Sequence, residues 1–248
     1  IQPRNRLDEA FLPVLKSKAT ETYTDRCLAY LEKNNISTVL PADRNYPALL
    51  KEIHLPPTVL YVKGTLPEKI PLPIGMIGSR QCSEYGAEVA EMLAAELAAS
   101  GVCVVSGLAH GIDCISAQAA IENAPKGSFP TIAVLGSGVD VVYPAENRPL
   151  YNRICECGAV ISEFPPGTSP DKGNFPRRNR IISGISKGVL VVEAAVKSGT
   201  RITVDYALEQ GRDVFAVPGR IKDETCRGTN EMIRDGIAKL VNGRKIYS

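Results

Sequence analysis

The segment Lys172-Gly173-Asn174-Phe175-Pro176-Arg177-Arg178-Asn179-Arg180 gathers a lysine, an aromatic ring, two asparagines and three arginines within nine residues. Arginine pairs bidentately with phosphate, asparagine can read a base edge, and a ring offers a stacking surface to a base. Stacking is worth about 1–3 kcal/mol per base and needs the base out of its duplex. The combination therefore suits an unpaired polynucleotide. A plainer account stands beside it: Phe175 as a core residue anchoring the loop, and one or two of the arginines holding the loop by ion pairs.

Four glycine-bearing turns carry the same kind of chemistry. They are Gly78-Ser79-Arg80, Ser106-Gly107-Leu108-Ala109-His110-Gly111, Gly136-Ser137-Gly138 and Lys197-Ser198-Gly199-Thr200. Glycine lets backbone approach an anion, and neighbouring hydroxyls can donate to phosphate oxygens. Any one such turn more often reflects tight packing between strand and helix. Four on one rim, two with a basic residue, shift the balance toward a phosphate site. Neither stock nucleotide fingerprint is met, because Gly136-Ser137-Gly138 lacks a third glycine at the required offset and no G-x-x-x-x-G-K-[ST] loop exists. No NAD or ATP grip, and no cofactor, is expected.

Catalytic candidates are few. Asp113 and Glu193 are carboxylates near the proposed rim, each better suited to accepting structural hydrogen bonds. His110 has the right ordinary pKa for a general base but no oriented partner in sequence. The expectation is a binding protein, not an enzyme.

These turns need strands to place them on one edge. From about Ile74 onward, short apolar β-branched runs alternate with helix-like stretches, the pattern of a parallel sheet with helices on both faces. The expected strands are Ile74–Ile77, Val102–Val105, Thr131–Leu135, Ala159–Ile161, Gly188–Val192, Asp213–Val217 and Ile237–Val241. Between the first two, Val89, Met92, Leu93 and Leu97 form one apolar helical stripe over Glu84–Ser100, ended by Gly101. A further helix is expected over Arg178–Ser186. The fold class is a doubly wound, mostly parallel α/β sheet of Rossmann-like type, residues 58–248. Before it, residues 1–57 read as a short helical segment, Asp25–Asn34, and a connector cut by Pro41, Pro47, Pro56 and Pro57.

Composition fits this plan: 248 residues, 44% hydrophobic and 23% charged, suffice for one sizeable core and a small appendage. No run approaches the roughly eighteen apolar residues of a membrane span, and Ile1–Arg6 lack a secretory apolar core, so a cytoplasmic protein is expected. The seven cysteines fit neither a C-x-x-C motif nor zinc spacing, and reduced thiols without a metal are expected. Charge is uneven. Lys172 to Arg201 holds seven basic residues against Glu193, a net +6, whereas the whole chain carries +2. A basic block in a slightly acidic remainder is how an anion-binding surface reads in sequence, although solvated faces also produce charge runs.

Taken together, Gly78-Ser79-Arg80, Ser106 to Asp113, the run Phe175-Pro176-x-Arg178-Asn179-Arg180-Ile181-Ile182-Ser183-Gly184, and Glu193-Ala194 with Lys197 to Thr200 resemble the bacterial DNA processing protein A (DprA, or Smf) family. Tyr46-Pro47, Pro56-Pro57 and Leu60-Tyr61-x-x-Gly64 resemble the opening of that family's Rossmann-like domain. The resemblance covers roughly Pro41 to Val241. It implies a protein that captures incoming single-stranded DNA in natural transformation, forms a homodimer and helps load the RecA recombinase. It also implies that Arg80, Lys172 and Phe175 grip the strand, that Ser106, Gly107 and the Gly199-Thr200 turn line a phosphate pocket, and that Asn230–Leu240 lies at a dimer interface. Many members carry a C-terminal winged helix, a pattern not read before Ser248, and an N-terminal helical domain fuller than the short helical segment expected within residues 1–57. The full expected nucleic-acid-binding set is Gly78, Ser79, Arg80, Ser106, Gly107, Ala109, His110, Gly136, Lys172, Asn174, Phe175, Pro176, Arg178, Asn179, Arg180, Lys197, Gly199 and Thr200.

Two rival functions share the pocket. Lys197 to Thr200 distantly resembles the P-G-G-x-G-T-x-x-E signature of the Lonely Guy phosphoribohydrolases, but Thr203 stands where their glutamate belongs. A sensor of a small nucleotide would need only the glycine turns.

Overall fold

A computed structural model describes residues 18–243, so residues 1–17 of the expected N-terminal segment and 244–248 of the expected sheet domain lie outside the described residues. The chain divides into two compact units between Ser37 and Thr38. In the first, helix α1 (Lys18–Lys33) is longer than the expected Asp25–Asn34. The Asn34 side chain donates to the Tyr30 carbonyl, and Asn35 turns left-handed with φ 51° as the chain leaves the helix.

Among the described residues the sheet has nine strands: β1 (Ser37–Val39), β2 (Leu60–Gly64), β3 (Ile74–Ile77), β4 (Val104–Ser106), β5 (Thr131–Val134), β6 (Ala159–Ser162), β7 (Gly188–Val191), β8 (Asp213–Ala216) and β9 (Lys239–Leu240). Their order is β1-β2-β6-β5-β4-β3-β7-β8-β9. From β3 the chain winds outward through β4, β5 and β6, then returns to the other side of β3 and winds outward again through β7, β8 and β9. Every pairing from β6 to β9 is parallel, and β2 runs antiparallel to β6 with Tyr61 opposite Ser162. The doubly wound α/β sheet expected from the apolar runs is present, and its two halves meet between β3 and β7.

The helices between strands are α2 (Ala48–Lys51), α3 (Glu84–Ala99), α4 (Ile112–Asn123), α5 (Arg148–Cys157), α6 (Asn174–Ile185), α7 (Thr200–Glu209) and α8 (Arg227–Arg234). Successive strand residues point to opposite faces, so Ile74 and Met76 pack with α3 while Ile77 packs with α6 and α7. One face carries α3, α4 and α5, and the other α2, α6, α7 and α8.

Three expectations about elements change. Residues 41–57 do not form a tether, because Tyr46, Leu50 and Ile53 are buried in the sheet core and the Tyr46 hydroxyl donates to the Pro57 carbonyl at 2.7 Å. Burial pushes the pKa of the Tyr46 phenol up to about 12. The sheet unit therefore begins near Thr38, not at residue 58. On α3, Met92 is exposed and the buried stripe is Ala90, Leu93, Ala94, Leu97 and Ala98. Small residues win there because α3 packs closely against α4, which offers Ala119 and Ala120. Gly101 does follow the helix with φ 80°. Finally, α6 starts at Asn174, not Arg178, which places Phe175, Pro176 and Arg177 within the helix.

The start of α3 is tied to the end of β7. Ser83 caps the helix, its Oγ accepting from the Gly86 N–H at 3.0 Å, and its own N–H and hydroxyl donate to the buried Glu193 carboxylate. Among the described residues no helix is long and apolar enough to cross a membrane, and no cluster of potential metal ligands occurs.

Candidate nucleic-acid interface

In sheets of this kind ligands sit beyond the carboxyl ends of the strands, where the winding direction reverses. A cavity of about 1130 Å³ lies there, beyond β3 and between the starting turns of α4, α6 and α7. The turn after β3 is held from both sides: the Ser79 N–H donates to the Glu193 carbonyl at 2.8 Å, and the Ile112 N–H donates to the Ser79 carbonyl at 3.2 Å. That leaves the Arg80 side chain exposed at the cavity mouth.

Across the opening, Asp171 begins the turn that leads into α6. Its carboxylate accepts from the Gly173 N–H at 2.8 Å and its carbonyl accepts from the Asn174 N–H at 3.0 Å. Lys172 is exposed in this turn, and Phe175 and Pro176 follow in the first helical turn, where proline's missing N–H leaves nothing unsatisfied. The Arg80 guanidinium carbon lies 5.3 Å from the centre of the Phe175 ring, a cation–π contact. Arg80 and Lys172 therefore line one cavity. At the third wall Lys197 is exposed, and Ser198 Oγ accepts from the Thr200 N–H at 3.2 Å at the start of α7. Ala109 and His110 close the rim, with His110 Nε2 3.9 Å from the Glu146 carboxylate.

Of the expected set, the cavity brings together Gly78, Ser79, Arg80, Ala109, His110, Lys172, Phe175, Pro176, Asn179, Lys197, Gly199 and Thr200, with Arg178 in its floor. Ser106, Gly107, Gly136, Asn174 and Arg180 do not line it. The reasons are steric and electrostatic. Ser106 is fully buried, and Gly107 lies against the Arg178 guanidinium, where a Cβ would stand 2.5 Å from Arg178 Nη1. Gly107 thereby makes room for an internal arginine. Gly136 lies behind Phe175, where a Cβ would stand 2.7 Å from the ring.

Arg178 itself is 4% exposed. Its Nη1 donates to the carbonyls of Gly107, at 2.8 Å, and Val134, and its Nε donates to Asn179 Oδ1 at 3.1 Å. Burial pulls its pKa down to about 10, opposed by the nearby Asp113 carboxylate, so it stays charged at neutral pH. Asp113 accepts from the Gly107 N–H at 2.8 Å. Burial raises its pKa, while Arg178 and the backbone N–H groups of Gly107 and Ala109 pull the other way. Arg180 and Arg177 turn to the opposite side of α6. Arg180 pairs with the Glu163 carboxylate at 2.7 Å and Arg177 with the same group at 3.2 Å, beside a separate cavity of about 810 Å³. Residues 177 and 180 are one helical turn apart and share a face, whereas 178 points inward.

A profile of the DNA recombination-mediator protein A family matches residues 37–247. The chain belongs to this family. It is 40% identical to the DNA processing protein DprA of Bacillus subtilis over 244 residues, spanning 97% of this chain and 80% of that protein. It is 39% identical to the Smf protein of Synechocystis over 222 residues, 88% of this chain and 54% of that protein. DprA of Streptococcus pneumoniae superposes with a TM-score of 0.79 at 42% identity, covering 88% of this chain and 75% of that one. DNA processing protein A of Helicobacter pylori, a structure that addresses its single-stranded DNA binding mode, gives 0.74 at 30% identity over 85% and 92% of the two chains.

In this member of the DprA family the cavity also recruits residues that the motifs do not mark: Gln81, Tyr143, Ala195, Ile202 and Thr203. Tyr143 has a signal, an aromatic flanked by Pro144 in the turn after a strand; Ile202 and Thr203 are ordinary helix positions. The packing of Phe175 on Gly136 yields a prediction. Gly136→Ala is expected to lower stability by about 1–3 kcal/mol, because a rigid ring cannot yield as a flexible chain end would. Thermal unfolding checks it, and an unchanged midpoint would mean the ring is not fixed against the turn.

Proposed function

We propose that this cavity binds single-stranded DNA, and that the protein is a non-enzymatic mediator that protects incoming DNA and helps load RecA during natural transformation. The observation that carries this reading is the convergence of Arg80, Lys172 and Lys197 with the Phe175 ring on one cavity, at the sheet's winding reversal. The cations neutralise phosphates and the ring meets an exposed base, which a duplex cannot offer. No bond needs to break. The carboxylate nearest the cavity, Asp113, is occupied by Arg178 and Gly107, and Thr203, where a phosphoribohydrolase would need glutamate, is 2% exposed. Membership in a family described as recombination mediators supports the RecA role and a cytoplasmic setting. A homodimer through Asn230–Leu240 is in keeping with β9 as the outermost strand and Leu240 half exposed upon it.

Competition in a gel shift tests the reading. Unlabelled single strands are expected to displace a labelled oligothymidylate at far lower concentration than the matching duplex. Affinity should fall with salt along a log–log slope of about −0.7 per phosphate engaged. Equal displacement by duplex, or displacement by a mononucleotide alone, would overturn it.

A further inference from the structure

Phe175 is an incompletely free stacking surface. Gly136 lies behind the ring, the guanidinium of Arg80 lies 5.3 Å from its centre and that of Arg178 6.0 Å. Beside it stands a second ring, Tyr143, with centroids 5.7 Å apart and planes inclined at 33°. Tyr143 lines the same cavity and is 47% exposed, a large fraction for an aromatic side chain already leaning on another. Its loop is braced on both sides. Ser137 Oγ donates to the Val141 carbonyl at 2.8 Å, the Tyr151 hydroxyl donates to the Val139 carbonyl, and the Asn147 side chain donates to the Leu108 carbonyl at 2.9 Å.

We propose that Tyr143 is a base-stacking residue of this interface, presenting the open ring face that Phe175 supports from behind. The inference rests on the single-strand reading above and adds a residue and a path to it: the strand passes from the Lys172 and Phe175 wall onto the loop after β5. A ring pre-set by its neighbours loses little side-chain freedom when a base lands on it, which is where an exposed aromatic contributes most. The Tyr143 hydroxyl is not required by this role; the ring face is.

The test compares Tyr143→Ala and Tyr143→Phe with the wild-type protein on two fluorescein-labelled strands, an oligothymidylate and a strand of equal length made wholly of abasic sites. Both strands present the same phosphates, and only one presents bases. Tyr143→Ala is expected to weaken oligothymidylate binding about tenfold, within the range that loss of one stacked base gives. Tyr143→Phe should stay within about twofold of wild type. Neither change should alter binding of the abasic strand or the slope of affinity against salt, since the phosphates keep all their partners. Because Tyr143 is exposed, a thermal midpoint close to wild type is the control for folding. Wild-type affinity in Tyr143→Ala, an equal loss on the abasic strand, or a Tyr143→Phe variant as weak as Tyr143→Ala would each overturn the assignment while leaving the single-strand reading intact. A wild-type protein that binds neither strand would overturn both.

Discussion

The double variant Arg80→Ala with Lys172→Ala is expected to bind single-stranded DNA about a hundredfold more weakly than wild type, and to flatten the log–log salt dependence by about 1.4. Removing the cations that neutralise two phosphates, at about 0.7 each, gives that change in slope. The affinity follows from two charge-assisted hydrogen bonds at about 1.5 kcal/mol each, the low end of their usual range because both side chains are exposed. Both side chains are exposed, so their removal should change stability by no more than about 0.5 kcal/mol, and a binding loss cannot be ascribed to unfolding. Arg80 carries a second role, its contact with the Phe175 ring, so the Arg80 half of the loss should exceed the Lys172 half. A lysine side chain in place of Arg80 keeps the charge but not the planar stacking group, and Arg80→Lys should recover the slope more fully than the affinity. Titration at two salt concentrations decides the matter. An unaltered slope accompanied by weaker binding would mean that these cations act on the fold of the rim and not on phosphates.

The strands are legible in the sequence because a parallel sheet covered on both faces demands continuous apolar β-branched runs, and Ile74–Ile77 and Gly188–Val191 supply them with all four residues of each buried. Strand β2 is not, since Leu60–Gly64 alternates buried and half-exposed positions at an edge of the parallel set and pairs antiparallel with β6. The rim is half legible. Gly78 and Gly199 open onto the cavity, whereas Gly107 and Gly136 leave room for Arg178 and Phe175. In sequence, a glycine that admits a ligand and one that admits a side chain look the same. The arginines show the same limit. Which of Arg177, Arg178 and Arg180 faces in depends on how α6 packs against the sheet, and the partners of Arg178 are carbonyls 71 and 44 residues away, which no local pattern announces.

That buried arginine sets the largest expected effect on stability. Arg178→Met should destabilise the protein by about 3–5 kcal/mol, the usual consequence of removing one partner from a buried charged arrangement. Methionine fills much of the volume but leaves the Gly107 and Val134 carbonyls without their donor and Asp113 without its compensating cation. The loss should depend on pH, in a direction fixed by Asp113. Burial already raises that carboxyl's pKa, and Arg178 is foremost among the groups pulling it down, so the variant raises it further. The native variant then holds a proton that the unfolded chain releases near the ordinary aspartate value of about 3.9, and stability falls as pH rises from there through the raised native pKa. Arg178→Met is therefore expected to be less impaired at pH 4–5 than at neutral pH, judged against wild type in urea unfolding at each pH. Adding Asp113→Asn removes the buried charge while keeping an oxygen for the Gly107 N–H, so the double variant should lose much of the pH dependence and recover part of the stability. A deficit of equal size at all pH values, untouched by Asp113→Asn, would mean that Arg178 acts only through its carbonyl bonds and that its charge is not coupled to Asp113.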